Sequence, residues 1–417
     1  MPQAIATLIN ARWIVPVEPS GLILEHHALA IQDGRIVAIL PQDEAAVCFT
    51  PATCLNLDSH VLIPGLINAH THASMVLLRG LADDLPLMNW LQNHIWPTEA
   101  RWVNPDFVRD GARLAIAEML RGGATCFNDM YFFPEVTAAM ARECGIRACV
   151  GLIALDFPTA YARNLDEYLS KGLALHETLS AEPLLHAAFA PHAPYTVSAS
   201  ALERIGRLAE ALELPIHIHV HETAAEVAQF QIQHGCRPLE RLDQLGLLSP
   251  RLLAVHMTQL EAAEIDRLAE RGVHVIHCPE SNLKLASGFC PTARLDAAGV
   301  NVAIGTDGAA SNNDLDLFGE LRTAALLGTG VLQGFKRARL HIQFKYVGTS
   351  SINLAQQQPF ALDVNHRNIP AVGQVQLQRF CLGAVQLNTA GYCVIDAGPL
   401  EPLMGLCLLY TSDAADE

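Results

Sequence analysis

The chain has 417 residues, 51% of them apolar, and a formal net charge of −16. That length and composition suffice for one large domain and a smaller one, and exclude a disordered or fibrous chain. The acidic balance argues against nucleic acid or an anionic membrane as partner, and reads first as solubility.

The 11 cysteines form no CxxC pair, so neither a zinc ribbon nor a thioredoxin-like motif is indicated. The N-terminus, MPQAIATLINARWIVPVEPS, lacks the basic region, apolar run and cleavage site of a secretion signal. No apolar run reaches the ~20 residues needed to span a bilayer. Scattered thiols in such a chain predict a reducing, cytoplasmic setting.

Residues 1–60 predict a small β domain. ATLINARWIVPV, ALAIQDGRIVAIL and ATCLNLDSHVLIPG are β-rich, and Asp33-Gly34 sits between apolar runs as a hairpin turn would. Residues 61–328 change pattern. Eight short apolar segments alternate with amphipathic helices: VLIPGLINAH, ATCFNDM, RACVGLIA, LLHAAFAPH, PIHIHVHE, LLAVH, VHVIHC and VNVAIGTD. Eight β/α alternations fit an α/β fold, a (β/α)8 barrel of the TIM type, with chemistry at the C-terminal strand ends. Residues 329–417 are atypical. Residues 331–417 hold 9 Gln, as many as residues 1–330, and the ending LLYTSDAADE reads as translated non-native sequence, of the kind a reading-frame change produces.

Four motifs fall at strand ends. His70-Thr71-His72 closes the first barrel strand, and period-2 alternation lets both imidazoles reach one ion. In HIHVHE, His219 and Glu222 are favoured for chemistry. His217 fits a hydrogen-bonded core histidine, and His221 either packing or support of a ligand. His256 ends LLAVH, where a lone histidine is more often structural. Asp307 follows VNVAIG, where it could equally cap a helix. Together the motifs lie on strands 1, 5, 6 and 8, and barrel closure brings strand 8 beside strand 1. Imidazoles plus one carboxylate suit a divalent metal, zinc foremost. No Lys stands at the end of the fourth strand, which argues against a lysine-bridged two-metal site.

PGLINAHTH, IHVHET, AVHMTQL and IGTDGAASNN resemble the strand 1, 5, 6 and 8 signatures of the amidohydrolase superfamily, a likeness that covers residues 5–328. HTHASMVLLRGLADDLPLMNWL, NDMYFFPE, APHAPYTVS, CPESNLKLASG and GTDGAASNNDLDLFGELR narrow it to deaminases of 5′-methylthioadenosine and S-adenosylhomocysteine. Triazine chlorohydrolases and guanine deaminases share much of this frame. A catalytically inert barrel used for binding is a rival of another class.

The resemblance implies metal ligands at His70, His72, His219 and Asp307. It implies Glu222 as proton shuttle, His256 beside the reacting carbon, and Asp307 as acceptor of the water proton. It also implies substrate contacts at Glu99 (toward the ribose hydroxyls), His192, Glu222 and Ser311. Read alone, Glu99 suits a solvated helix face and Ser311 a helix cap. Trp90 and Trp96 suit core packing or the apolar side of a substrate pocket.

Two features depart from the family pattern. Some relatives carry an Arg after the third strand, at a position near Cys149-Val150-Gly151 that holds no Arg here, although Arg163 lies a little further on; this favours a substrate without a carboxylate. The usual C-terminal return to the small domain, a strand pair containing Gly and Asp, is not recognisable after residue 328. The expected partner is a nucleoside, with a homo-oligomer as the common state of soluble enzymes.

Overall fold

The computed structural model describes residues 2–17, 19 and 21–330, with short strands at 341–342, 360–361, 386–387 and 392–396. The glutamine-rich stretches of the tail and the ending LLYTSDAADE lie outside the described residues. The chain divides into two compact units. One is built on residues 1–66 and 120–125 with the described residues from 360 onward, and the other on 67–119 and the described residues from 126 to 359.

The first unit is a sheet. β1 (Gln3–Ile14) pairs antiparallel with β2 (Leu24–Gln32) and parallel with β4 (Phe49–Pro64), and β2 pairs with β3 (Arg35–Pro41). Asp33 and Gly34 both take positive φ, 52° and 71°, which is what a tight two-residue hairpin requires. Ile9, Ile14, Leu29 and Leu62 are fully buried in this sheet's core. A strand at Tyr392–Asp396 lies antiparallel against β4, with Val394 opposite Leu62, so a C-terminal strand does return to this sheet.

The second unit is a barrel of eight consecutive strands: β5 (Leu66–Thr71), β6 (Ala124–Asp129), β7 (Arg147–Ala154), β8 (Leu185–Pro191), β9 (Ile216–Val220), β10 (Leu252–His256), β11 (His274–His277) and β12 (Val302–Ile304). From β6 to β12 neighbouring strands pair parallel, as β–α–β connections demand. Every residue of β9 is buried, the mark of a strand covered on both faces. The apolar run VLIPGLINAH corrects the one-strand reading: Val61–Pro64 belong to β4, Gly65 breaks the run, and the barrel strand starts at Leu66.

Closure joins β5 to the end of β12. Asp307 N–H donates to the His70 carbonyl at 3.0 Å, and Thr306 N–H to Asn68 Oδ1 at 3.0 Å. Gly305 permits this approach, because a Cβ there would stand 2.7 Å from His70 N. Among the described residues no helix is long and apolar enough to cross a membrane.

Candidate active site

His70, His72, His219 and Asp307 each offer one ligand atom, and these atoms lie within 4.8 Å of one another. His70 Nε2 stands 3.2 Å from Asp307 Oδ1 and 3.2 Å from His219 Nε2. His72 Nε2 is also 3.2 Å from Asp307 Oδ1.

The far nitrogens are committed elsewhere. His72 Nδ1–H donates to the Met130 carbonyl at 2.5 Å, and His219 Nδ1–H to the His192 carbonyl at 2.7 Å. A carbonyl only accepts, so both Nδ1 atoms carry the proton and both Nε2 atoms are bare in the neutral rings. His70 Nδ1 pairs with His217 Nε2 at 2.9 Å. Bare nitrogens therefore converge with a carboxylate, and a cation at their centre relieves the repulsion.

The electrostatics point the same way. Burial opposes a proton on His72, yet the Asp307 carboxylate prevails and lifts it to about 9. Burial also works against charge on Asp307, but the His70 and His72 rings beside it hold its carboxyl well below the usual range. The donor set thus calls for positive charge and fits a divalent metal.

Glu222 and His256 stand beside this cluster. Glu222 Oε2 lies 3.7 Å from His256 Nε2, and Ser287 Oγ donates to Oε1 at 3.4 Å. Burial raises the Glu222 carboxyl above its ordinary value. The His256 ring stacks on His219 at 5.4 Å between centroids. His221, His256, Met257 and Asp307 all take left-handed φ, between 51° and 74°, so strained backbone gathers where β9, β10 and β12 end.

His217 and His221 face away from the cluster's centre. The first supports His70, and the second accepts the Leu239 N–H at 3.1 Å. Ser311 Oγ donates to Asp307 Oδ2 at 3.0 Å, which makes it a support of that carboxylate as well as part of the cavity wall.

His72, His219, Glu222, His256, Asp307 and Ser311 line one cavity of about 580 Å³. Its floor carries His72, His219, Glu222, His256 and Asp307, and its walls include Trp90, Ile95, Trp96, Leu155, Phe157 and Leu285. Glu99 and His192 also line it. Burial pushes the Glu99 carboxyl up to about 7, against the pull of the neighbouring Tyr131 hydroxyl and His72. Burial drives His192 down to about 3, so that ring is neutral.

The amidohydrolase family profile matches residues 61–357. A 5-methylthioadenosine/S-adenosylhomocysteine deaminase of Saccharophagus degradans is 53% identical over 326 residues, covering 78% of this chain and 73% of the relative. The chain belongs to the amidohydrolase family. A zinc-bound structure described as an adenosine deaminase from Xanthomonas campestris matches with a TM-score of 0.78 and 57% identity, over 79% of this chain and 75% of that one. The zinc-bound atrazine chlorohydrolase of Arthrobacter aurescens matches at 0.71 and 24% identity, over 77% and 76%, which shows the shared fold alone.

This amidohydrolase is a hydrolase of carbon–nitrogen bonds, of the deaminase type, with a cluster suited to one divalent metal. Its structure adds residues that support the reacting groups from behind. Ser281 Oγ donates to Asp307 Oδ2 at 2.6 Å, and Thr258 Oγ1 to the Glu222 carbonyl at 2.7 Å. Glu226 Oε2 accepts the Glu222 N–H at 2.7 Å within a capping box with Thr223. The T-x-x-E spacing in ETAAEV is a signal that finds Glu226 from sequence. No comparable signal marks Ser281 or Thr258.

Proposed function

We propose that the chain hydrolyses the 6-amino group of 5′-methylthioadenosine, giving the inosine analogue and ammonia. The carrying observation is the placement of Glu222 and His256 beside a three-histidine, one-aspartate cluster, on the floor of a cavity with apolar walls. His70, His72, His219 and Asp307 would hold one divalent ion, zinc by preference. When bound, such an ion lowers the pKa of a coordinated water toward neutrality.

The remaining chemistry falls to side chains. Asp307 accepts the proton of the attacking water. Glu222, whose raised affinity for a proton suits the task, protonates purine N1 and makes C6 electrophilic. It then takes the hydroxyl proton of the tetrahedral carbon as the C6 carbonyl forms and passes it to the departing amine, and the proton held by Asp307 leaves to solvent as Glu222 regains one. The attacking oxygen's O–H donates to His256 Nε2 as the tetrahedral carbon forms. Glu99 accepts from the ribose hydroxyls, and His192 contacts the substrate as a neutral ring.

The cavity favours a neutral 5′ substituent. Among the described residues no Lys or Arg lines it. Arg163 pairs with Glu167 at 2.8 Å and is 85% exposed. A carboxylate-bearing tail, as in S-adenosylhomocysteine, would enter apolar walls without a counter-ion. The intact ligand set speaks against an inert scaffold. The free thiols from Cys48 to Cys290 accord with a cytoplasmic enzyme, and a homo-oligomer is its expected state.

The test is an ultraviolet deamination assay on zinc-loaded protein with 5′-methylthioadenosine, S-adenosylhomocysteine, adenosine, guanine and a chlorotriazine. Highest kcat/KM on 5′-methylthioadenosine is expected. Preference for guanine or the triazine would overturn the substrate reading.

A further inference from the structure

The connection after β11 contributes neither a ligand nor a group to the chemistry proposed above. Yet its sequence, CPESNLKLASG, puts three buried polar side chains behind the three reacting groups. Ser281 Oγ donates to Asp307 Oδ2 at 2.6 Å, and Ser287 Oγ to Glu222 Oε1 at 3.4 Å. Between them, Asn282 Oδ1 stands 2.8 Å from His256 Nδ1.

We infer that Asn282 is a positioning residue for the reaction, fixing the tautomer and direction of the His256 ring. The inference rests on the reading of His256 given above. Asn282 is 2% exposed and sits in the short helix Pro279–Lys284, so its side chain has little freedom. Its backbone is anchored at both sides, with Asn282 N–H on the Cys278 carbonyl at 3.0 Å and Ser287 N–H on the Asn282 carbonyl at 2.9 Å.

Accepting at Oδ1 places the imidazole proton on Nδ1. Nε2 is then left as the lone-pair face, turned toward Glu222 at 3.7 Å. In the neutral ring that nitrogen receives a hydrogen bond from the attacking water, so the water's orientation is set by a residue that never touches it. The strand end needs such a hold. His256 and Met257 take φ of 74° and 51°, a strained pair that does not itself dictate where the ring points.

Three variants and two readouts test the inference. Asn282→Leu keeps the volume and removes the acceptor. Asn282→Ala removes the acceptor without adding bulk, and carries the same expectation if the leucine variant folds poorly. Asn282→Asp keeps an acceptor for Nδ1–H.

On metal-loaded protein, the leucine or alanine variant is expected to lose about 10–100-fold in kcat, with KM and zinc content nearly unchanged. The aspartate variant should recover most of that loss. In ring-nitrogen NMR of the wild type, the His256 signal, assigned by its loss in His256→Gln, should show the proton on Nδ1. That Nδ1 signature should vanish in Asn282→Leu and persist in Asn282→Asp.

An unchanged kcat in both acceptor-less variants, an aspartate variant as slow as the leucine one, or a wild-type proton on Nε2 would each overturn the assignment. If His256→Gln keeps full kcat, the reading of His256 itself fails. If it is inactive while Asn282→Leu is not, only the role of Asn282 falls.

Discussion

Glu222→Gln isolates the proton shuttle from the metal cluster. The substitution is isosteric, and the contacts it disturbs are weak. Ser287 Oγ reaches Oε1 at 3.4 Å and His256 Nε2 stands 3.7 Å from Oε2. The backbone bonds that hold the residue, from Thr258 and to Glu226, do not involve its side chain. Ground-state binding and metal content should therefore barely change.

What is lost is the exchangeable proton. General acid–base catalysis is worth roughly 100- to 10,000-fold. At ~1.36 kcal/mol per decade, that is about 2.7–5.4 kcal/mol in the barrier. The assay follows the purine absorbance change with zinc-loaded protein and saturating 5′-methylthioadenosine, alongside metal analysis. A kcat within about threefold of wild type, at full zinc occupancy, would refute the assignment of Glu222.

Further outcomes are expected. Gly305→Ala puts a Cβ 2.7 Å from His70 N and 2.8 Å from His70 O, so β12 must move away from β5. The variant should lose ~1–3 kcal/mol of stability in a denaturant titration, and most of its zinc. His219→Ala should purify without stoichiometric metal, and an unchanged metal content would remove it from the ligand set. Chelating the metal should abolish turnover and lower the melting temperature, since an ion at 100 times its Kd stabilises by about 2.7 kcal/mol. For Glu99, whose carboxyl is pushed up to about 7, the acceptor form disappears as pH falls through that value. A nucleoside's kcat/KM should decline on that side, and the corresponding limb should be absent in Glu99→Gln.

The strand-end residues are legible in sequence because a barrel strand is short, apolar and punctuated. HTH, HIHVHE, LLAVH and IGTD stand out against their runs, and closure predicts that the first and last strands meet. Gly65 is harder to read, because a strand of the small sheet and a strand of the barrel carry the same kind of apolar run. The break between them at Pro64 and Leu66 becomes visible only when their partners are known.

Glu99 is illegible for a different reason. Its helix, Trp96–Trp102, has the partly exposed pattern of a surface helix, and one turn of it borders a cavity rather than bulk water. Polarity alone does not distinguish those two surroundings. Asn282 and Ser281 are hidden because their partners, His256 and Asp307, lie 26 residues away on other elements.

The closure between β5 and β12 also has a consequence in time. His70 and Asp307 are 237 residues apart in sequence. At ~5–20 residues per second, a ribosome needs roughly 10–50 s to make the stretch between them. Through that interval the first two histidines of the cluster are already synthesised, while the edge that seals them in does not yet exist. The four-ligand set is therefore completed late in synthesis, and by non-local pairing rather than by local order. A chain truncated just short of Asp307 would carry three of the four ligands and still have no barrel to hold them.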